Sequence, residues 1–154
     1  MNTKIEKIKN FRLFLLKQIE DLTTQQLNEI PTGYKNNIIW NLGHLICVQQ
    51  NMCYVKSSLS VAVEDKYFSP FMPGTKPESF IEEQKIKNIK KVFINSIDKL
   101  HSVYDNNIYK NYSPSPTIQK AYGFEINNID GALEYLLHHE GLHAGYILAI
   151  MHLL

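Results

Sequence analysis

The sequence predicts an all-α fold, a four-helix bundle, on two observations. Four segments of roughly 20 residues carry apolar side chains at helical spacing, and stretches holding proline or glycine interrupt the chain between them. The last segment also repeats its apolar positions in steps of four and three, as Ala132, Leu136, His139, His143, Tyr146, Ile150 and Leu153. Such a series is the seam of a helix packed among other helices.

The first helix is expected from about Thr3 to Leu22, with Ile5, Ile8, Leu15, Ile19 and Leu22 on one face. A polar stretch from Thr23 to Lys35 follows and contains the breakers Pro31 and Gly33. Asn36 or Asn37 suits the cap of the second helix, which runs through Trp40 and His44 to about Ser58. After the loop KYFSPFMPGTKP the third helix is expected to start near Pro77, a residue suited to a first helical turn. Its apolar face is Ile86, Ile89, Phe93, Ile97, Leu100 and Tyr104. Pro114 and Pro116 break NYSPSPT, and the fourth helix opens near Asn128 or Asp130 and continues almost to Leu154. No repeat, low-complexity tract or boundary divides residues 1–154, so one domain is expected.

Composition narrows the function classes. The 154 residues are 44% hydrophobic and 20% charged, the balance of a globular protein. No apolar run reaches the ~20 residues that span a bilayer. The N-terminal segment mixes charged and apolar residues unlike a signal peptide, so a cytoplasmic location is expected. Net charge is +1, Arg12 is the only arginine, and lysines alternate with acids as in EEQKIKNIKK. A nucleic-acid reader concentrates basic residues on one face, so no nucleic-acid partner is expected. Cys47 and Cys53 lie six residues apart in one helix, ~9 Å along its axis, too far to bridge, and are expected as buried thiols.

The chemistry concentrates in LLHHEGLHAGYILAIMHLL. His139 and His143 are four apart on the apolar seam, the spacing at which two imidazoles can share one ion. Spacing alone leaves two readings open, a shared metal and a pair of hydrogen-bonded core histidines. His44, in NIIWNLGHLICV, follows Trp40 and precedes Val48 at helical spacing and adds a third inward imidazole if the helices pack as a bundle. Three protein ligands with open positions is the pattern of a catalytic site rather than an enclosed structural one. His138 is expected at the flank, His152 on the outside, and His101 at the edge of the third helix's apolar stripe. The string His139-Glu140-Gly141-Leu142-His143 also matches the zinc-peptidase motif, but no downstream third ligand accompanies it. Glu140 is then expected at the surface or behind the ligands. Cys47, three residues after His44, reads as a small packed hydrophobe rather than a fourth ligand.

Three motifs in order resemble the DinB-like (DinB/YfiT) superfamily over nearly the whole chain. NNIIWNLGHL, from Asn36 to Leu45, is similar to that family's Gly-His motif in the second helix. YFSPFMPGTKP resembles its aromatic loop, and YGFEINNIDGALEYLLHHEGLHAGYI, from Tyr122 to Ile147, its last helix. The resemblance implies an up-down-down-up bundle, often a homodimer, with one divalent ion, nickel or zinc, on His44, His139 and His143. Tyr146 departs from it, standing where family sequences commonly carry glutamine. The activity it implies is metal-dependent chemistry on a small electrophile, as a thiol S-transferase or a related hydrolase or isomerase. A low-molecular-weight thiol such as bacillithiol or mycothiol would be the co-substrate. The alternative is a metal-binding stress-response protein without turnover. Catalytic residues beyond the ligands are not legible in the sequence.

Overall fold

A computed structural model describes residues 2–104 and 108–154. Six α-helices occur among them: α1 (Thr3–Gln18), α2 (Thr24–Asn28), α3 (Ile38–Cys53), α4 (Glu83–Tyr104), α5 (Pro116–Tyr122) and α6 (Ile129–Met151). No β-strand is present among the described residues. The four long helices form the bundle, and α2 and α5 are short pieces of its connections.

Asparagines start three of the long helices. The side chain of Asn2 accepts from Lys4 N at 2.9 Å, that of Asn37 from Trp40 N at 2.9 Å, and that of Asn128 from Gly131 N at 2.8 Å. Each cap contributes about 1 kcal/mol. Burying one isoleucine or leucine contributes roughly 1.5–3 kcal/mol. The caps therefore set where a helix begins, and the buried seams decide whether it forms. On α1 the seam is Ile5, Ile8, Arg12 and Leu15; on α4 it is Ile86, Ile89, Phe93, Ser96, Ile97 and Leu100. In α3 every residue except Asn51 is buried, so this helix is enclosed on all sides.

Helices α1 and α3 occupy opposite corners, each flanked by α4 and α6. Side-chain registers give the directions. Lys4 pairs with Asp130 and Glu134, and Arg12 with Glu140, so α1 and α6 run parallel. Lys9 pairs with Asp98 while Arg12 reaches back to the Phe93 carbonyl, so α1 and α4 are antiparallel. Ile38 and Ile39 share one core cluster with Ile86 and Ile89, whereas Val48 and Met52 share another with Ile97 and Leu100. Thus α3 and α4 run parallel, and the connectivity is up-down-down-up. The exposed lysine pairs reveal the register but add little stability.

Parallel neighbours require the chain to return the length of the bundle. Residues 54–82 make that crossing over the outer face of α3, through 3-10 turns at Val55–Ser57, Asp65–Tyr67 and Ser69–Phe71. Gln50, buried on α3, anchors the crossing by accepting from Ala62 N at 2.6 Å. No helix among the described residues is long and apolar enough to cross a membrane.

Several boundaries differ from expectation, each for a local reason; α3 ends at Cys53 rather than near Ser58, where the chain tightens into the 3-10 turn Val55–Ser57 and Ser58 turns left-handed. Helix α1 ends at Gln18 rather than Leu22, with Ile19 as its buried C-cap. The polar stretch after it contains α2, started by a capping box between Thr23 and Gln26. Helix α4 begins at Glu83, six residues after Pro77. Asn28 accounts for the delay: its Oδ1 accepts from Ile81 N at 2.8 Å, and its Nδ2 donates to the Ile81 carbonyl at 2.9 Å. That two-point clamp takes up backbone groups of Ile81 that a helix would use. The α6 seam stops at Ile150, and Leu153, expected on it, is 55% exposed beyond the helix end.

Candidate metal centre

His139 and His143 project from one face of α6, toward His44 on α3. Ring centroids stand 4.5 Å apart between His139 and His143, 4.8 Å between His44 and His143, and 5.3 Å between His44 and His139. One nitrogen from each ring lies within 4.8 Å of the other two. A triangle of that size puts each nitrogen at most roughly 2.8 Å from a common centre, against ~2.0–2.1 Å for a Zn–N bond. Ring rotations of under an ångström would close the difference, so the cluster can coordinate a divalent ion.

Two of the three rings have their tautomer fixed from behind. The His44 Nδ1 lies 2.7 Å from the Phe71 carbonyl, which can only accept, so Nδ1 carries the proton and Nε2 presents its lone pair. Phe71 comes this close because Gly43 has no side chain: a Cβ there would lie 2.4 Å from the Phe71 ring. On its other side His44 stacks on Trp40, with centroids 4.7 Å apart and planes 11° off parallel. The His143 Nδ1 lies 2.7 Å from Asn41 Oδ1. Asn41 is itself oriented, since its Nδ2 donates to the Asn37 carbonyl at 2.7 Å and to Asn36 Oδ1 at 3.0 Å. Its oxygen therefore faces His143, which donates through Nδ1. Such outer partners orient ligands and raise their basicity.

His139 differs. Its Nδ1 is buried and has no hydrogen-bond partner among the described residues. Hydrogen-bonded core histidines would explain His143 but leave the desolvation of His139 uncompensated. Burial lowers the pKa of all three imidazoles. His143 falls to about 4, by burial and then the charge on His44, and His139 to about 2, by burial and then its neighbours His143, His44 and Arg12. For His44 burial outweighs the opposing pull of the Phe71 carbonyl. All three are neutral at neutral pH, the form that ligates metal.

The remaining candidates separate from the cluster. His152 is exposed and His101 is half-buried on α4, as the spacing had it, while His138, expected at the flank, is exposed. Cys47 is buried and its thiol is pushed up to about 12 by desolvation, which suits a packed thiol rather than a ligand; Cys53 is likewise a buried free cysteine. Glu140 is not at the surface. It is 1% exposed and its Oε1 accepts from Arg12 Nε at 2.8 Å and Nη2 at 2.6 Å. Burial raises its pKa and Arg12 opposes the rise. Joined to Arg12, it is no general base for the motif it completes.

A cleft of about 480 Å³ opens over the three histidines. Tyr135 stands beside His139 at 5.6 Å, and Tyr122 on α5 extends that wall, 6.2 Å from Tyr135 and 6.0 Å from Phe124. Sequence reasoning missed the roles of Asn41, Gly43 and the Phe71 carbonyl. The only signals for them were an asparagine and a glycine within four residues of His44.

A family model described as the DinB superfamily matches residues 14–147. The chain belongs to the DinB superfamily. No curated protein matches it. The DinB match takes in all three histidines, both oriented by outer partners and the one without, and it leaves the chemistry to be argued from the site.

Proposed function

We propose that this DinB protein holds one divalent ion, nickel or zinc, on His44, His139 and His143, and that it transfers a low-molecular-weight thiol to a small electrophile. The observation that carries this reading is the convergence of three neutral imidazoles at an open cleft rather than in a closed cage. Three nitrogen ligands leave positions free for an exogenous group. When bound, the ion would supply a Lewis acid at which a thiol ionises near neutral pH. The chain's own residues position the reactants. The Phe71 carbonyl and Asn41 hold two ligand rings in register, and the Tyr122–Tyr135 wall offers an apolar face for the electrophile.

Both nickel and zinc suit imidazole donors. We further propose a cytoplasmic protein, in keeping with two unpaired buried cysteines, and a homodimer, on the family resemblance. The test is elemental analysis of untagged protein purified without nickel resin, followed by thiol-conjugation assays on a chromogenic electrophile. About one ion per chain is expected, with ion and turnover lost together in His143→Ala. Turnover that persists after the ion is gone would refute the transferase reading.

A further inference from the structure

Among the described residues the cleft over the histidines is lined by no carboxylate, and Lys56 is the only charged residue that lines it. We propose that the cleft takes an elongated ligand with an acidic group at the end remote from the histidines, and that Lys56 selects that group. This inference rests on the metal reading above.

Charge is the first argument. Three neutral imidazoles leave both charges of a divalent ion uncompensated. The nearest buried acid in the chain sequence, Glu140, is joined to Arg12 and does not line the cleft. Lys56 adds a further positive charge, and among the described residues no carboxylate pairs with it. A cleft of this sign favours an anion at each end, one being the donor that ionises at the histidines.

Placement is the second argument. His44 stands nine residues before the end of α3, roughly 13 Å of axis at ~1.5 Å per residue, and Lys56 follows beyond that end in the 3-10 turn Val55–Ser57, so the two line different ends of the cleft. The ammonium is tethered by donating to the Pro114 carbonyl at 3.3 Å, which leaves two N–H groups for a ligand. Ser115 and Thr117 line the same end. Tyr135 and Leu142 add apolar surface beside the histidines, and Met52 and Ile118 add more, with Asn51 the polar side chain among them. An acidic tail for Lys56, an apolar body for the shared lining and a metal-seeking head therefore match what lines the cleft.

The test uses cobalt(II)-loaded protein, in which thiolate ligation gives a near-ultraviolet charge-transfer band. ω-Mercaptocarboxylic acids of increasing chain length are titrated against ω-mercaptoalcohols of the same lengths, in wild type, Lys56→Gln and Lys56→Arg. Above a threshold length the acid is expected to bind about fivefold tighter than the alcohol, the upper range for a single solvent-accessible ion pair. That preference should vanish in Lys56→Gln and persist in Lys56→Arg, while short acids show none. Equal binding of acids and alcohols at every length overturns the proposal, as does a preference that survives Lys56→Gln. Failure of cobalt to bind at all sinks the metal reading with it. A thiolate band indifferent to Lys56 sinks the selectivity alone.

Discussion

Arg12 and Glu140 meet at 2.6 Å with side chains 0% and 1% exposed, and from this pair the guanidinium reaches every long helix. It sits on α1, holds Glu140 on α6, donates to the Leu45 carbonyl on α3 at 3.1 Å, and to the Phe93 carbonyl on α4 at 2.8 Å. It also lies 4.5 Å over the Phe93 ring. Removing one member leaves the other charged and buried, which costs about 3–5 kcal/mol, whereas replacing both by apolar residues is often near neutral. Arg12→Met and Glu140→Leu should each lower stability by that amount in urea unfolding, and the double variant should recover most of the loss. A double variant as unstable as the sum of the singles would show that the two residues are not coupled.

Gly43→Ala should damage the site more than the fold. The added methyl collides with the Phe71 ring, and overpacking of this kind costs roughly 1–3 kcal/mol. The displaced loop carries away the carbonyl that orients His44. Loss of an outer partner lowers metal affinity by about 10–100-fold. Calorimetric titration with zinc checks this, and unchanged affinity would separate the Gly43–Phe71 contact from the site.

Asn41 offers a cleaner probe because its substitution leaves the loop in place. Asn41→Leu removes the acceptor for His143 Nδ1 and should weaken zinc binding by about 10–100-fold, while Asn41→Asp keeps an acceptor oxygen and should retain most of it. Equal loss in both variants would mean that Asn41 acts through packing alone.

Acid should destabilise the metal-free protein through its histidines. Unfolded imidazoles titrate near 6.5, whereas burial brings folded His143 down to about 4 and His139 to about 2. Below pH 6.5 the unfolded state therefore binds protons that the folded state refuses, and stability falls as pH falls from about 6.5, through His143 to about 4 and through His139 on toward about 2. The urea midpoint should drop over this window and stay flat from pH 7 to 8. His143→Gln should flatten the slope, and an unchanged slope would place the titration elsewhere.

The four long helices were legible because each buries a face whose spacing is written in the chain. Short α2 and α5 were not, since five and seven residues hold too little period to read. The start of α4 depends on Asn28, 53 residues from the Ile81 it clamps, and no local signal at Pro77 reveals that. At the site, the helical step exposed His139 and His143, and bundle packing brought in His44. The supporting partners stayed hidden for different reasons: Phe71 contributes a backbone atom from 27 residues away, and Arg12, marked in the sequence only as the single arginine, is buried by three other helices closing on it.

The parallel course of α3 and α4 has a kinetic consequence. It forces a long surface crossing, and that crossing supplies the carbonyl on His44. Surface crossings open far more often than bundle cores do. The lifetime of a bound ion should then be set by the breathing of residues 54–82, not by melting of the helices. Hydrogen–deuterium exchange at these amides and ion off-rates should move together across loop variants, while the global unfolding rate stays constant.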